Sequence, residues 1–352
     1  MNNYNVIGIM SGTSLDGTDI VLCNFEFKNK WKFKILKAET IPYPSYWQDK
    51  LSNADKMYAY QFIKLHKEYG CYLGNLVNNF IKYSENKVDF IASHGHTIFH
   101  NPDEKITFQI GDGASIAAKT KITTISDFRS LDVALNGQGA PLVPIGDELL
   151  FNNYDFCLNL GGFANISFNK NNMRFAFDIC PVNIIINHYT RQINLDLDRD
   201  GEIACSGKLN VKLFDELNNI SFYKLNYPKS LGKEWLISEF IPIIDKYDLK
   251  IEEKLRTIYE HIAYQINKAI ICENKKSVLT TGGGAYNNFL IETIKQKSKK
   301  CEFIIPEKNI IDFKEAIIFA FLGILRYRNE ANCFSSVTGA TKDNIGGIIF
   351  QI

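Results

Sequence analysis

The chain has 352 residues, of which 45% are hydrophobic and 13% aromatic, a composition typical of a folded protein long enough for two domains. Its 40 basic and 39 acidic residues give a formal net charge of +1, so no global charge recruits nucleic acid or an anionic membrane. We therefore expect a small-molecule partner, and neither nucleic acid nor membrane.

The eight cysteines are scattered singly, without a C-x-x-C pair. This pattern disfavours a zinc ribbon or a redox pair and is typical of reduced core thiols. The N-terminal sequence has no basic segment followed by a long apolar one, and the most apolar stretch, 316–325, is too short to cross a bilayer. We expect a cytoplasmic protein.

The predicted elements alternate between strands and helices along the chain. In chain order they are strands 5–10, 19–27 and 32–41, a helix within 55–82, a strand 88–92, a loop-rich stretch 123–144, strands 156–160, 163–168 and 175–178, mostly helical sequence to 275, a strand 278–281, a glycine turn and a helix. The loop-rich stretch is a candidate domain crossing. A strand, glycine turn, strand pattern thus occurs twice, at Gly12 and at Gly162, about one domain apart.

The first of these turns lies in GIMSGTSLDGTD, residues 8–19. Hairpin loops usually take two to five residues, and this one is longer and almost entirely small or hydrogen-bonding. Consecutive backbone N–H groups in such a turn hold phosphate oxygens, and the two carboxylates, Asp16 and Asp19, suit Mg²⁺ bound through water. A long polar hairpin with an Asx-type turn is the alternative, although the second glycine turn favours phosphate.

A third glycine-rich turn, TGGGAYN at 281–287, follows a predicted strand and opens a helix. Successive glycines let the backbone pass closely by a flat group such as adenine, although helix–strand packing explains one or two of them equally well. The chain has no G-x-x-x-x-G-K-[ST] motif, and neither glycine run completes G-x-G-x-x-G.

Together with further blocks, these motifs resemble the anhydro-N-acetylmuramic acid kinases of the actin/Hsp70/sugar-kinase superfamily. The similarity covers nearly the whole chain and includes GIMSGTSLDGTD (8–19), SHGHTIFH (93–100), QIGDGASIA (109–117), SDFRSLDVALNGQGAPLVP (126–144), NLGGFANIS (159–167), FDICPVN (177–183), DRDGEIACSG (198–207), PKSLGKE (228–234), TGGGAYN (281–287), KEAIIFA (314–320) and VTGA (337–340).

The resemblance implies an α/β fold of two actin-like (ribonuclease H-like) domains with a nucleotide cleft between them. We expect residues 1–132 in the first domain and 133–352 in the second, with the C-terminal segment packing back on the first. The implied enzyme opens 1,6-anhydro-N-acetylmuramic acid with water and phosphorylates O6 from ATP. The products are N-acetylmuramic acid 6-phosphate and ADP, in peptidoglycan recycling. ATP and Mg²⁺ are the implied cofactors, and a homodimer is left open.

The resemblance also implies a set of site residues. Asp178 matches the catalytic aspartate, and a base is needed because water is a poor nucleophile. ATP would be bound by Gly12, Thr13, Ser14, Leu15, Asp16, Gly17, Thr18, Asp19, Gly161, Gly162, Asn165, Gly282, Gly283, Gly284 and Asn287, with Mg²⁺ near Asp16 and Asp19. The sugar would contact Ser93, His94, Gly95, His96, Thr97, Arg129 and Glu315.

Several of these residues have structural interpretations that stay open. Asp178, at the end of a strand, is also in a position typical of a helix-capping residue. Glu315 is in a position typical of an acidic residue at the start of a helix. Arg129 could form an ion pair either with a carboxylate of the substrate or with Asp127 and Asp132. Extended backbone would place His94, His96 and His100 on one face as metal ligands, although sugar contacts are favoured. Cys180 is interpreted as a buried thiol rather than a catalytic one.

Three positions depart from the common family pattern. Cys180 replaces a glycine after the catalytic aspartate, His96 replaces a glutamine, and Asn136 replaces a glycine before Gly137. Asparagine tolerates positive φ, so its change is mild, whereas Cys180 would narrow the pocket and His96 would change its hydrogen bonding. The alternatives are a kinase for a different amino sugar and a non-catalytic, nucleotide-dependent switch of the same superfamily.

Overall fold

A computed structural model describes residues 2–12, 15–270 and 276–352. The strands are β1 (Asn3–Ser11), β2 (Gly17–Phe27), β3 (Trp31–Pro42), β4 (Phe90–Asn101), β5 (Ile106–Ile110), β6 (Thr124–Ser126), β7 (Phe156–Leu160), β8 (Phe163–Lys170), β9 (Met173–Pro181), β10 (Lys276–Thr281), β11 (Cys301–Ile304) and β12 (Ile348–Phe350).

The α-helices are α1 (Ser45–Ser52), α2 (Ala59–Ile81), α3 (Gly113–Thr120), α4 (Ser130–Ala134), α5 (Val143–Leu150), α6 (Asn183–Thr190), α7 (Glu202–Ser206), α8 (Val211–Asn218), α9 (Lys233–Trp235), α10 (Ile241–Asp245), α11 (Ile251–Ala269), α12 (Asn288–Lys297), α13 (Lys308–Tyr327) and α14 (Ser335–Thr338). Short 3₁₀ segments lie at Ala54–Lys56, Pro102–Glu104, Arg191–Ile193, Arg199–Gly201, Ser221–Lys224 and Gly283–Tyr286, and a π-helical segment at Leu236–Phe240.

The chain divides into two compact units, Met1–Leu150 with Phe313–Ile352, and Phe151–Asp312. The sequence placed the boundary after residue 132, eighteen residues earlier than the structure does. The reason is that α5 packs against β3, and a Cβ at Gly146 in α5 would lie 2.5 Å from the side chain of Ile318 in α13. The loop-rich stretch and α5 therefore belong to the first unit.

Each unit contains one mixed sheet among the described residues. In the first unit the strand order is β12-β6-β4-β1-β2-β3, with β5 paired to β4; in the second it is β11-β10-β7-β8-β9. In both, a long hairpin, β1–β2 or β7–β8, has a parallel strand beside its first member, β4 or β10. The predicted α/β class and the recurring strand, turn, strand pattern are confirmed.

The predicted longer strands and the helix within 55–82 are present, with ends shifted by a few residues. The prediction ended the fourth strand at residue 92, whereas β4 continues to Asn101. Its continuation contains Gly95 at φ +73° and register shifts against both β1 and β5, which break the simple alternation that sequence reasoning uses. The prediction also missed β5, β6, β11 and β12, which have three to five residues each.

The cysteines agree in part with the expectation of core thiols. Cys23, Cys157, Cys180 and Cys333 are buried, but Cys71 and Cys205 are exposed, and Cys272 lies outside the described residues. All seven described cysteines are free. Within the described ranges, we find no helix with both the length and the apolar character needed to traverse a membrane.

Candidate active site

Four hydroxyl groups close a buried ring at the base of the first glycine turn. Ser11 ends β1 and Thr18 lies at the start of β2, so they flank the turn, with Oγ atoms 3.4 Å apart. Thr18 Oγ1 donates to Tyr43 Oη at 3.0 Å, Tyr43 Oη lies 2.5 Å from Tyr69 Oη, and Tyr69 Oη donates to Ser11 Oγ at 2.8 Å. Burial raises the pKa of Tyr69 well above its usual value, so its hydroxyl stays protonated. The ring fixes both ends of the turn.

The outer part of the same turn is held by backbone contacts. Gln48 Nε2 donates to Leu15 O at 3.1 Å, and Tyr43 N donates to Asp16 O at 3.4 Å. Leu15 has φ +60°, and a Cβ on Gly17 would lie 2.6 Å from Ile41 O. Glycine at 17 is therefore required by the neighbouring strand. The predicted ATP contacts Thr13 and Ser14 lie outside the described residues.

The two carboxylates assigned to Mg²⁺ differ in setting. Asp16 is exposed just before β2, whereas Asp19 is half-buried on β2, where its Oδ1 accepts a hydrogen bond from Thr40 Oγ1 at 2.5 Å. Within the described ranges, no group of three or more His, Cys, Asp or Glu side chains forms a metal site. This oxygen donor set suits a magnesium ion that keeps its waters and takes further ligands from phosphate, rather than one held in a protein cage.

In the second unit, a row of polar residues crosses four adjacent strands. Thr281 of β10 is in register with Asn159 of β7, Asn159 with Asn165 of β8, and Asn165 with Asp178 of β9. Residues directly opposite each other on paired strands share a face of the sheet. The row therefore places the predicted base, Asp178, on the same face as Asn159, which sequence analysis did not single out.

Asp178 is half-buried near the end of β9. Its backbone N–H donates to Lys229 O at 3.0 Å, and its Oδ2 accepts a hydrogen bond from Leu231 N at 2.8 Å. Burial raises the pKa of Asp178 to about 6, and the Leu231 amide opposes this rise. A carboxyl group with this pKa is ionised at neutral pH and is basic enough to accept a proton. Asp178 caps no helix; it braces the 229–231 segment.

The glycine turn after β7 is open on one side. A Cβ on Gly162 would have its nearest neighbour at 3.8 Å, so the fold itself does not require glycine there. The carbonyls of Gly161 and Gly162 accept hydrogen bonds from the first amides of α6, and Asn183 Nδ2 donates to Leu160 O at 3.0 Å. These bonds fix the turn while leaving space above it for a ligand.

The glycine turn after β10 lies beside the glycine turn after β7, in the same unit. Gly282 has φ +82°, and a Cβ there would lie 2.7 Å from Leu160 C and against Asn159 Oδ1. A Cβ on Gly283 would have its nearest neighbour at 3.5 Å, whereas one on Gly284 would lie 2.8 Å from Leu160 Cβ. Close helix–strand packing thus explains Gly282 and Gly284, and Gly283 is left for close approach of a ligand.

Asn287 has a defined structural role. Its Oδ1 accepts a hydrogen bond from Leu290 N at 2.9 Å and so caps α12, while its Nδ2 donates to Tyr259 Oη at 2.7 Å. Both ends of the amide are therefore engaged within the second unit. The predicted contact of Asn287 with adenosine stays a prediction.

His94 and Arg129 form a pair in the first unit. The ring of His94 is buried with its centroid 4.6 Å from that of Phe319, and its Nδ1 lies 2.9 Å from Gly95 O. Its Nε2 accepts hydrogen bonds from Nε and Nη2 of Arg129, both at 3.0 Å, which assigns the proton to Nδ1. Burial and the Arg129 charge hold the pKa of His94 well below its usual value. His94 is therefore neutral and orients the guanidinium.

The remaining contact of Arg129 is also intramolecular, because its Nη1 donates to Gly139 O at 2.5 Å. Burial lowers the pKa of Arg129 to about 10, while Glu315 opposes that change. Arg129 is thus a cation, with Glu315 close enough to affect its charge. Asp132 also acts on the Arg129 charge, which agrees with the alternative assignment of Arg129 to Asp127 and Asp132 for that residue, although the hydrogen bonds of Arg129 among the described residues go to His94 and Gly139.

Asp132 instead forms a buried polar hub that sequence analysis missed. Its Oδ1 accepts hydrogen bonds from Cys333 Sγ at 3.0 Å, Thr338 Oγ1 at 2.8 Å and Asn344 Nδ2 at 2.7 Å. Its Oδ2 accepts one from Gly139 N at 2.8 Å, and Gly139 O in turn binds Arg129. Asn136 leads into this loop and has φ +67°. Asparagine tolerates a positive φ, so the replacement of glycine at this position is mild, as expected from the sequence. The hub positions the loop that holds the guanidinium.

Two polar atoms of the β4 segment, Ser93 Oγ and His96 Nδ1, are buried. Neither has a hydrogen-bond partner in the part of the chain that the structure describes. A backbone hydrogen bond joins His96 to Gly12 in the first glycine turn, and burial lowers the pKa of His96 to about 4. His96 is therefore neutral and links the β4 segment to that turn. Because this pKa lies far below neutral pH, His96 stays uncharged across the physiological range.

The metal interpretation of the histidine stretch is wrong. His94 and His96 are buried, whereas His100 is exposed and has Nδ1 3.1 Å from Thr107 Oγ1. Irregular backbone at Gly95 and the register shift before Phe99 prevent the three side chains from sharing one face. They do not come together as metal ligands in the described ranges.

Glu315 does not begin a helix, contrary to its structural interpretation, because α13 starts seven residues earlier at Lys308. Its carboxylate is solvent accessible but surrounded by protein atoms, which raises its pKa, while Arg129 and Lys314 oppose that rise. Next to it, Lys314 Nζ forms a buried ion pair with Asp147 Oδ1 at 2.7 Å. The pair anchors this part of α13 to α5.

Cys180 is fully buried in the core of the second unit. Burial is the main cause of the raised pKa of its thiol, and the Asp178 charge adds to it. The thiol therefore stays protonated, which is the behaviour of a core residue rather than a nucleophile. Its side chain packs among core residues, and the expected narrowing of the substrate pocket stays a prediction.

The sequence model of the anhydro-N-acetylmuramic acid kinases matches residues 4–352. The chain belongs to this family. It is 36% identical over 383 aligned positions to the anhydro-N-acetylmuramic acid kinase of Francisella tularensis subsp. novicida (strain U112), covering 99% of each chain. It is 32% identical to the enzyme of that name from Bacillus cereus (strain AH187), covering 97% of this chain and 98% of the relative.

Among solved structures, similarity is weaker. The activator of the 2-hydroxyisocaproyl-CoA dehydratase from Clostridium difficile, with bound ADPNP, is 15% identical and gives a TM-score of 0.44, covering 92% of this chain and 97% of that one. The assignment to the anhydro-N-acetylmuramic acid kinase family therefore rests on sequence.

Proposed function

We propose that the protein is an ATP-dependent kinase that opens 1,6-anhydro-N-acetylmuramic acid with water and phosphorylates its O6. Water adds to C1 as the bond from C1 to O6 breaks, O6 takes the γ-phosphoryl group, and ADP leaves. The products are N-acetylmuramic acid 6-phosphate and ADP, which places the enzyme in peptidoglycan recycling. Family membership over nearly the whole chain supports the substrate class.

The observation that carries the mechanism is the position of Asp178 in the polar row beside two glycine turns. Asp178 accepts a proton from the attacking water and later releases it to solvent. Its partly desolvated carboxylate is a stronger base than an exposed one, and the Leu231 amide keeps one oxygen fixed. The other oxygen, Oδ1, is the atom that we assign to the water.

The glycine turns serve the nucleotide in this proposal. The turn from Gly12 to Gly17 in the first unit and the turn at Gly161 and Gly162 in the second bind phosphate oxygens through backbone N–H groups. Gly283, which the fold itself does not require, allows adenosine to approach the backbone after β10. Asn159 lies against Gly161 and Gly282 and keeps the two turns of the second unit in register.

Asp16 and Asp19 are the residues that would hold Mg²⁺, through water. When bound, the ion neutralises charge on the phosphates that is otherwise unfavourable for transfer. Asp19 is pre-oriented by Thr40, whereas Asp16 is exposed. These two residues therefore contribute alignment rather than bond chemistry.

The sugar site in this proposal comprises Arg129 and the β4 segment. Arg129, held by His94 and Gly139, offers charge to the lactyl carboxylate of the substrate. Ser93 Oγ and His96 Nδ1 are buried and have no hydrogen-bond partner among the described residues, and sugar hydroxyls or water satisfy them. Glu315 lies beside Arg129 and accepts from a further hydroxyl.

A second candidate is a kinase for a different amino sugar, and it is favoured by His96, which stands where the family commonly has glutamine. ATP consumption should be measured with the anhydro sugar and with ordinary amino sugars, and products identified by mass spectrometry. We expect turnover with the anhydro sugar and a product that contains one added water and one added phosphoryl group. Turnover of another amino sugar alone would support the second candidate.

A further inference from the structure

A cavity lies in the second unit, away from the polar row. Its volume is about 610 Å³, within the range of small-molecule sites. Phe156, Phe168 and Phe177 line it, and the register pairs Phe156 with Phe168. Because successive side chains of a strand point to opposite faces, Phe177 faces away from Asp178. The sheet therefore separates this cavity from the proposed base.

The inner wall of the cavity is aromatic. The rings of Phe177 and Tyr227 are stacked, with centroids 5.3 Å apart and an interplanar angle of 6°. Phe168 meets the Tyr227 ring edge-on at 5.8 Å. An apolar ring of a ligand would find a matching surface here, since aromatic side chains pack well against flat apolar groups.

The rim of the cavity is basic. Five lysines line it, Lys170, Lys224, Lys229, Lys268 and Lys276. Among the described lining residues the one carboxylate is Asp155, whose oxygens bind Lys276 Nζ at 2.7 Å and Ser277 N at 2.9 Å. The positive charge of the other four is therefore not matched by acidic residues among the described part of the lining.

Lys268 lies close enough to Lys229 to affect its charge. Burial is the main cause of the lowered pKa of Lys229, and the Lys268 ammonium lowers it further. Lys229 Nζ lies 4.6 Å from the centroid of the Phe222 ring and donates to Phe222 O at 3.2 Å. A bound anion would relieve this repulsion, which gives the cavity charge complementarity to a negatively charged ligand.

We propose that this cavity binds a small organic anion, a phosphate or carboxylate carried on a flat apolar ring, and that occupancy changes kcat. The ring packs against Phe168 and Tyr227, and the anionic group lies between the ammonium groups of Lys229 and Lys268. A ligand with only an apolar ring would leave the lysines without an anion, and a ligand with only an anionic group would leave the aromatic wall without a packing partner.

The effect on kcat follows from the wall that carries Tyr227 and Lys229. Lys229 O accepts the backbone N–H of Asp178, and Leu231 N, two residues on, donates to the Asp178 carboxylate. A ligand held by Tyr227 and Lys229 therefore acts on the segment that positions the base. This part of the proposal rests on the function proposed above, whereas binding to the cavity does not.

The binding experiment uses phenyl phosphate, which carries both features, with inorganic phosphate and phenol as probes that carry one each. Calorimetric titrations are run with a non-hydrolysable ATP analogue present to occupy the nucleotide site. We expect phenyl phosphate to bind about tenfold or more tightly than either single-feature probe. Absence of phenyl phosphate binding, or equal binding of all three, would overturn the proposal.

Charge reversal locates the site. Lys268→Glu should weaken phenyl phosphate binding about tenfold or more, since it replaces an attractive charge by a repulsive one. Lys212→Glu, an exposed lysine on α8 outside the cavity, is the matched control and should leave binding unchanged. Far-ultraviolet circular dichroism checks that both variants fold. Equal weakening in both variants, or in neither, would exclude this cavity as the site.

Turnover tests the second part of the proposal. Saturating phenyl phosphate should change kcat of the wild-type enzyme by about twofold or more, with KM for ATP unchanged, and should have no such effect on Lys268→Glu. Binding without any change in kcat would show a ligand site that does not act on Asp178. A rise in KM for ATP at constant kcat would show competition at the nucleotide site, and would overturn the regulatory role.

Discussion

Replacing Asp178 by asparagine should make the protein more stable at neutral pH while removing its activity. A pKa raised by burial from 3.8 to about 6 means that the folded state binds a proton more tightly than the unfolded chain. The stability that protonation contributes is complete below pH 3.8 and is lost as the pH rises through about 6. The loss amounts to about 3 kcal/mol, at 1.36 kcal/mol for each pKa unit.

Asparagine has no charge to desolvate, and its Oδ1 still accepts from Leu231 N. The free energy of unfolding of Asp178→Asn, relative to wild type, should therefore increase by about 3 kcal/mol from about pH 4 to about pH 8. Urea denaturation at a series of pH values measures it. Asp103→Asn, at an exposed carboxylate, is the control for the Asp-to-Asn substitution itself.

Activity should change in the opposite direction in the same variant. Loss of the base should lower kcat by about 10²-fold or more, and ring opening and phosphoryl transfer should fail together. In the wild type, kcat/KM should fall about tenfold for each pH unit below about 6. A stability difference that does not vary with pH, or a stable variant with wild-type turnover, would refute the assignment of Asp178 as a desolvated base.

Four other substitutions test the glycine turns. Asp19→Ala should lower kcat and be partly rescued by raised magnesium, measured by ATP turnover; a lowered melting temperature without a magnesium effect would indicate a turn residue only. Gly282→Ala should cost about 2 kcal/mol or more in urea denaturation, because of its φ of +82° and the nearby Leu160 backbone, whereas Gly283→Ala should keep stability and raise KM for ATP. Tyr69→Phe breaks the hydroxyl ring and should cost about 1–3 kcal/mol while raising KM for ATP; unchanged values of both would show that the ring does not hold the turn.

The sequence predicted the parts of the candidate site that depend on local pattern. Both glycine turns that we assign to phosphate follow buried strands, and the strand that ends near Asp178 was recognised from its apolar run. Such features can be predicted from the sequence because neighbouring residues determine where a strand ends and a turn begins. A two-unit organisation was also predicted, although its boundary was placed eighteen residues too early.

The missed features depend on contacts between residues far apart in the chain. The Asp132 hub joins residues more than 200 positions away, and the hydroxyl ring brings Tyr69 to Ser11 across 58 positions. The pairing of His94 with Arg129 depends on the positive φ of Gly95, which turns β4 away from simple alternation. No periodicity in the sequence predicts these long-range contacts.

The assigned reaction is tested most directly by following the oxygen of the attacking water. The enzyme is incubated briefly with ATP and 1,6-anhydro-N-acetylmuramic acid in water enriched in the heavy oxygen isotope, and the product is fragmented in a mass spectrometer. The account predicts a sugar phosphate with the heavy oxygen at C1 and none in its phosphate group. A phosphorylated product that keeps the anhydro ring, or ATP hydrolysed to labelled inorganic phosphate with the sugar unchanged, would contradict it.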